Sequence, residues 1–363
     1  MIHSRVIHTT RLGRIFTRLA RIRSALSSVI SVTAFPSRLH RKEIRDISRQ
    51  LPHQAGTNGA FTLRIRTPGV RVRRISAAAA VTAGAVLTTG IAVAPAQAAA
   101  PPKPSIAAKG GFLMNNGSGK ELFNKSADTR RATGSTTKIM TARVVLGQRN
   151  LNLDSKVTIQ KAYSDYIVRN NASHARLIVG DKVTVRQLLY GLMLPSGCDA
   201  AYALADKYGK GSTRAKRVKS FIGQMNKTAK DLKLKNTHFD SFDGISNGAN
   251  YSTPRDLTKL ASNAMKNSRF RTIVKTKTYT AKTKTKTGGT RTMAPWKNTN
   301  ALLGSYRGAI GVKTGSGAQA KYCLVFAATR NGKTVIGTVL TSTSSAARVS
   351  DAKKMMDYGF KVA

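Results

Sequence analysis

The sequence predicts an α+β fold, with an antiparallel sheet flanked by terminal helices beside a mostly helical lobe. Three observations carry this. Hairpin signatures stand far apart in the chain, at Asn116-Gly117-Ser118-Gly119 and Arg330-Asn331-Gly332-Lys333. Between them, over about residues 135–270, apolar residues recur at helical spacing. A last amphipathic segment follows the second hairpin.

Taken in order, Gly110 to Lys125 holds two short apolar runs, Phe112-Leu113-Met114 and Leu122-Phe123, around the first turn. Ser135 to about Leu146 reads as a helix with Ile139, Ala142 and Leu146 on one face. Thr184-Val185-Arg186-Gln187 has the capping-box pattern and opens a stripe of Leu188, Leu189, Leu192 and Met193. Pro195 ends that helix. Asp199 to Tyr208 forms the next, closed by Gly209, and Val218, Phe221, Met225 and Ala229 mark another. Thr253-Pro254 reads as an N-cap followed by proline at the first helical position. The last third returns to strands: Ala309–Val312, then Tyr322–Thr329 and Thr334–Leu340 around Asn331-Gly332. A helix from about Ala346 to Tyr358 closes the chain, with Val349, Ala352 and Met356 inward. Lys275 to Thr287 alternates lysine and threonine; it reads as a solvated hairpin or loop ahead of a contact for wall polymers.

Charge and export bear on function. The 363 residues carry 62 Lys and Arg against 15 Asp and Glu, a net charge of +47. Such a chain is drawn to polyanions, whether nucleic acid, an anionic wall or a membrane surface. Arg71, Arg73 and Arg74 precede an uncharged apolar stretch, Ile75 to Ala94, and Ala96-Gln97-Ala98 follows as a small-x-small cleavage site. That is the order of a secretory signal. Residues 1–98 are therefore taken as a basic presequence with signal, 99–109 as a Pro/Ala-rich linker, and 110–363 as the folded domain. Without residues 1–98 the chain still holds a charge of +33. Export argues against nucleic acid, as does the lack of basic runs interleaved with aromatics. No second apolar anchor is expected near the C-terminus. Cys198 and Cys323 are read as buried thiols in preference to a bridge. With only His174 and His238 beyond residue 98, no cluster has metal-ligand spacing, and neither metal nor cofactor is expected.

Three short motifs carry chemistry. Ser135-Thr136-Thr137-Lys138 places a hydroxyl and an amine three residues apart, on one helix face. Serine is a weak nucleophile until a base takes its proton. Ser196-Gly197-Cys198 and Lys313-Thr314-Gly315 follow in the order a penicillin-reactive serine enzyme requires. Each motif alone is weak: Ser350-Asp351-Ala352-Lys353 and Lys286-Thr287-Gly288 match as well. Context separates them. Lys313 ends an apolar run and precedes two strands, so it can line a sheet edge, whereas Lys286 sits in a polar repeat.

Over about residues 105–345 the chain resembles the D-alanyl-D-alanine carboxypeptidases, the low-molecular-mass penicillin-binding proteins. The likeness rests on Thr133 to Lys138, Met193-Leu194-Pro195-Ser196-Gly197, Asp243-Gly244, Ser252 to Leu257, Asn298 to Leu303 and Gly311 to Gly315. Its Ser-Gly-Cys form is similar to secreted actinomycete DD-transpeptidases. The resemblance implies the penicillin-binding, β-lactamase-like transpeptidase fold and a stem-peptide substrate ending in D-Ala-D-Ala. It implies Ser135 as nucleophile, Lys138 as base and Ser196 as proton relay. It further implies Lys313, Thr314 and Gly315, with Cys198, at the substrate, and the backbone N–H groups of Ser135 and Ser316 as oxyanion hole. Lys313 would be the cation that keeps Lys138 uncharged. β-Lactams would acylate Ser135. One position departs from the pattern: Cys198 stands where the family usually has Asn, and a thiol donates and accepts more weakly, which weakens hydrolysis more than acylation. A β-lactamase-like hydrolase would need a glutamate after the second motif, and none follows. A non-catalytic penicillin-binding sensor would be expected to carry a transmembrane signalling segment.

Overall fold

The computed structural model describes residues 101–363. The presequence and signal expected over 1–98 lie outside the described residues. Strand β1 (Gly110–Asn115) turns into β2 (Glu121–Lys125). After β3 (Arg131–Ala132), a 3₁₀ turn over Gly134–Thr137 runs straight into α1 (Lys138–Leu146). The lobe continues through β4 (Lys156–Thr158), α2 (Lys161–Arg169), β5 (Lys182–Thr184), α3 (Val185–Met193), α4 (Cys198–Tyr208) and α5 (Arg214–Asp231). A two-residue β6 (Tyr251–Ser252) pairs with β3 and leads to α6 (Pro254–Met265) and α7 (Ser268–Lys275). Then come β7 (Thr278–Tyr279), β8 (Lys282–Lys284), β9 (Thr290–Thr292), β10 (Trp296–Lys297) and the one-turn α8 (Leu302–Ser305). The chain ends with β11 (Ala309–Gly317), β12 (Lys321–Arg330), β13 (Lys333–Ser342) and α9 (Ser345–Val362).

The main sheet is antiparallel, in the order β11-β12-β13-β1-β2, so β11 is an edge strand. Side-chain alternation splits its two faces. Leu324, Phe326, Val335 and Val339 pack with Leu113 against Ala352, Met355 and Met356 of α9. Val325, Ala327, Ile336 and Phe112 face the helical lobe and join its core. Helix α1 is buried almost all round, with Ile139, Met140 and Val145 fully enclosed, as befits the central helix of a lobe. This is the α+β arrangement the sequence predicts. The Thr184 capping box forms with both of its bonds, and Thr253 caps α6 with Pro254 inside the first turn.

Several boundaries differ, each for a physical reason. Ser135 lies on a 3₁₀ turn and not in α1, because Thr136 Oγ1 donates to Thr133 O at 2.7 Å and the Thr133 and Thr137 hydroxyls bond at 2.8 Å. The strand expected over Ala309–Val312 continues to Gly317, since Lys313 to Gly317 stay in register with β12. The segment read as linker packs from Ile106 onward. Asp351 of α9 accepts Ala107 N and Ala108 N, both at 2.9 Å, and Ile106 enters the α9 core. The sequence reading assigns neither α2 nor α7, although both are amphipathic, with Tyr163 of α2 and Phe270, Ile273 and Val274 of α7 turned inward. The small antiparallel sheet β4-β5-β8-β9 is built of strands of three residues, too short to show a period. No helix among the described residues is long and apolar enough to cross a membrane.

Candidate active site

Ser135 is presented by the 3₁₀ turn, and Lys138, the first residue of α1, is fully buried behind it. Lys138 Nζ lies 2.9 Å from Ser135 Oγ and donates to Asp243 O at 2.9 Å, so the main chain fixes the amine in place. Beneath the turn, Asn250 Nδ2 donates to Thr133 Oγ1 at 3.2 Å and to Thr137 Oγ1 at 2.9 Å. Glycines let the pieces meet. Gly244 adopts φ +96° against the Gly134 carbonyl, where any Cβ would collide. Gly315 of β11 presses on the same turn; a Cβ there would stand 2.8 Å from Thr133 O.

The second motif sits on the loop between α3 and α4. Ser196 is 7 % exposed, has φ +66° in the left-handed region and has no partner for its Oγ. Non-glycine residues rarely hold that conformation without compensation, and such sites cluster where function needs a fixed side chain. The compensation is visible: Ser173 Oγ donates to Ser196 O at 2.7 Å, and Cys198 N donates to Ser173 O at 2.8 Å. Cys198 Sγ lies 3.6 Å from Ser173 Oγ and 3.9 Å from Ser196 O. Burial pushes the Cys198 thiol up, against the pull of the Lys138 charge. Asp199 accepts Ala175 N at 2.8 Å and Leu177 N at 3.1 Å, which holds the loop that carries Ser173.

The third motif lies on edge strand β11. Lys313 is 1 % exposed, and its Nζ donates to Thr314 O at 3.0 Å. Burial, then the Lys138 charge, then the Arg348 guanidinium push the Lys313 amine well below the ordinary lysine range. The sequence assigns Lys313 the standing positive charge. In the structure its environment opposes that charge, because the amine is buried and a second amine and a guanidinium lie near it. Thr314 Oγ1 is 2.6 Å from Thr299 Oγ1. Arg348 reaches from α9 to donate to Gly315 O at 2.9 Å and to Cys323 O at 3.3 Å. The Ser316 backbone faces Gly134: a Cβ at Gly134 would stand 3.1 Å from Ser316 N.

A cleft of about 530 Å³ opens over these residues, with Ser135, Ser173, Cys198, Asn250 and Ser316 among its lining. Lys138, Ser196 and Lys313 are buried, beneath a cleft wall that exposes few groups able to titrate. The structure thus brings all three motifs to one place. The competing matches lie elsewhere: Ser350 is exposed on α9, and Lys286 is in the exposed turn between β8 and β9. Cys198 and Cys323 are both free and buried. His174 and His238 are exposed. No group of His, Cys, Asp and Glu among the described residues could hold a metal. Sequence reasoning gives no role to Ser173 or Arg348 and names Asp243 only within the family likeness, although it is the Asp243 carbonyl that holds Lys138. Asp243 and Thr299 lie in segments that carry the family likeness; Ser173 has no signal in the sequence.

A sequence profile described as D-alanyl-D-alanine carboxypeptidase matches residues 96–344. A D-alanyl-D-alanine carboxypeptidase of Streptomyces sp. strain K15 is 76 % identical over 258 residues, covering 71 % of this chain and 89 % of the relative. The D-alanyl-D-alanine carboxypeptidase DacF of Bacillus subtilis is 32 % identical, over 70 % of this chain and 62 % of the relative. The crystal structure of the Streptomyces K15 DD-transpeptidase superimposes with a TM-score of 0.71 at 79 % identity, covering 72 % of this chain and 99 % of that one.

Proposed function

This chain belongs to the D-alanyl-D-alanine carboxypeptidase family of serine peptidases, and from that premise we propose that Ser135 forms the acyl-enzyme, with Lys138 as its base. The substrate class of the family is the peptidoglycan stem peptide ending in D-Ala-D-Ala, and β-lactam binding fits the family. The observation that carries the assignment is the 2.9 Å contact between Ser135 Oγ and a wholly buried Lys138 amine at the floor of the cleft.

Ser135 Oγ attacks the carbonyl carbon of the penultimate residue while its proton passes to Lys138 Nζ. The carbonyl oxygen becomes an oxyanion, met by the N–H groups of Ser135 and Ser316; losing one such donor typically costs about 10²–10³ in rate. The intermediate collapses, the peptide C–N bond breaks, and a proton reaches the departing amine through Ser196. Its unpartnered Oγ supports that role. Water then adds to the ester and releases the shortened peptide; an amine from a second stem peptide gives transfer instead. Lys313 and Thr314 take the terminal carboxylate. Burial and the neighbouring Lys138 and Arg348 side chains depress Lys313 in the free site. An arriving carboxylate favours the proton on Lys313, which leaves Lys138 as the uncharged amine that the base role requires.

The signal-like segment ending at Ala98 supports export, and the charge of +33 that remains beyond it supports an electrostatic hold on anionic wall polymers. The test of the site is labelling with a fluorescent penicillin: covalent label on the intact protein and none on Ser135→Ala. An unlabelled intact protein, or a labelled Ser135→Ala, rejects the assignment.

A further inference from the structure

We propose that the outer face of the β4-β5-β8-β9 sheet is the docking surface for a linear phosphodiester polymer of the polyol-phosphate kind. This rests on the electrostatic part of the proposal above and gives it a place in the fold. The pairing register fixes which side chains share that face. Thr158 lies opposite Lys182, Lys182 opposite Lys284, and Lys284 opposite Thr290. Lys156 and Lys282 stand two residues from Thr158 and Lys284 on the same side, by strand alternation. All four lysines are exposed, whereas Val157, Val183 and Thr283 between them are buried.

This face lacks the usual compensation. None of the four lysines has an ion-pair partner among the described residues. The nearest carboxylate in sequence, Asp181, is 2 % exposed, bonds the inward Thr283 hydroxyl at 3.0 Å and pairs with Arg291 at 2.9 Å. Like charges directly opposite each other across a ladder are unfavourable, and Lys182 faces Lys284 directly. An anion lying between the strands removes that conflict, and hydroxyls of Thr158, Thr290 and Thr292 are spaced among the amines as further donors. The charge continues beyond the sheet. Lys156 and Thr158 also line a shallow cleft of about 450 Å³ with Lys207, Arg214 and Arg217. There Asp206 neutralises only part of the two guanidinia, at 3.1 and 2.7 Å.

A path of cations spaced by strand geometry, about 5 Å across and about 7 Å along, suits a flexible chain with repeated single charges. Single-stranded nucleic acid calls for aromatic stacking platforms, and the outward positions of these strands are lysine and threonine. The surface includes none of the residues placed at the candidate active site, so polymer and stem peptide can be held together.

The experiment compares the full chain with a variant carrying Lys156→Gln, Lys182→Gln, Lys282→Gln and Lys284→Gln. A control carries the same change at the exposed Lys120, Lys235, Lys259 and Lys266. Retention on immobilised poly(glycerol phosphate) is measured against salt, with single-stranded DNA and phosphatidylglycerol vesicles as separate arms. Each polymer phosphate neutralised contributes about −0.7 to the slope of log K against log salt. The quadruple variant should flatten that slope by about 2–3 and the control far less, with penicillin labelling unchanged in both. The pair Lys182→Gln and Lys284→Gln should give about half the effect, which keeps the test sound if four substitutions disturb folding. Failure of the unmodified chain to bind polymer overturns the electrostatic proposal as a whole. Binding with equal losses in variant and control overturns the placement alone. A larger loss on DNA or on vesicles than on polymer overturns the choice of partner.

Discussion

Substituting Gly244 by alanine should cripple acylation although Gly244 carries no side chain to lose. Two costs arise at this position. The first is conformational: φ is +96°, and an L residue there is strained by about 1–2 kcal/mol. The second is a collision. A Cβ at Gly244 would fall on the carbonyl carbon and oxygen of Gly134 and come within 3.1 Å of Thr137 Oγ1. Backbone cannot swing aside as a flexible side chain does, so the 3₁₀ turn that carries Ser135 must move. A displacement on the order of 1 Å at a reacting group costs about 10²-fold in rate. Gly248 separates the two costs. It has φ +118° and nothing within 4 Å of the point where a Cβ would stand, so Gly248→Ala bears the strain without the collision. Fluorescent-penicillin acylation rates and thermal midpoints should therefore diverge. Gly248→Ala should lose about 2–8 °C in Tm, at about 2–4 °C per kcal/mol for a domain of this size, and keep its acylation rate. Gly244→Ala should lose more in Tm and about 10²-fold in acylation. Acylation by Gly244→Ala at the parent rate would refute the claim that the turn is wedged in place by backbone contact.

The same geometry gives three further outcomes. Lys313→Met should end productive substrate binding yet raise stability at neutral pH. The native state binds fewer protons than the unfolded chain between the depressed Lys313 value and the ordinary lysine value, so Lys313 makes stability rise with pH through that window; denaturant unfolding should show the advantage of Lys313→Met fading toward about pH 10, where an unfolded lysine loses its proton. Asp351→Ala leaves Ala107 N, Ala108 N and Ser342 Oγ without their buried acceptor, which should cost about 2–4 kcal/mol and open residues 101–109 to proteolysis. Cys198→Asn restores a strong donor and acceptor, and release of D-alanine without an acceptor amine should rise; no rise would contradict the role given to the thiol.

The parts legible in the sequence are those that local chemistry dictates. Asn331-Gly332 announces its hairpin, Thr253-Pro254 its helix start, and Thr184 with Gln187 a capping box, because each depends on residues a few positions apart. The motif set was legible for a different reason: Ser135 and Lys138 need only one helical turn, and Lys313 needs only a strand at a sheet edge. Less legible were elements whose order depends on distant partners. Strand β8 is three residues of Lys-Thr-Lys, and it becomes a strand because β5 and β9 flank it. Asp243 holds Lys138 through a carbonyl, an atom that every residue possesses, so no residue type at that position reports the contact.

The charge of the site is likewise decided by tertiary structure. Lys138 arrives from the helical lobe, Lys313 from the sheet edge and Arg348 from the closing helix, elements separated by up to 210 residues. None is unusual in its own segment. Folding brings three basic side chains together with no carboxylate side chain hydrogen-bonded to any of them in the structure. The buried Asp243 carboxylate beside Cys198 is taken up by Tyr166 OH and Ile245 N, both at 3.0 Å, and no carboxylate acts on Lys313; the C-terminal D-alanine of a stem peptide carries one. An amidated peptide leaves the Lys313 conflict unrelieved, and its acylation of Ser135 should be slower by a larger factor in kcat/KM than the loss of a neutral hydrogen bond would produce.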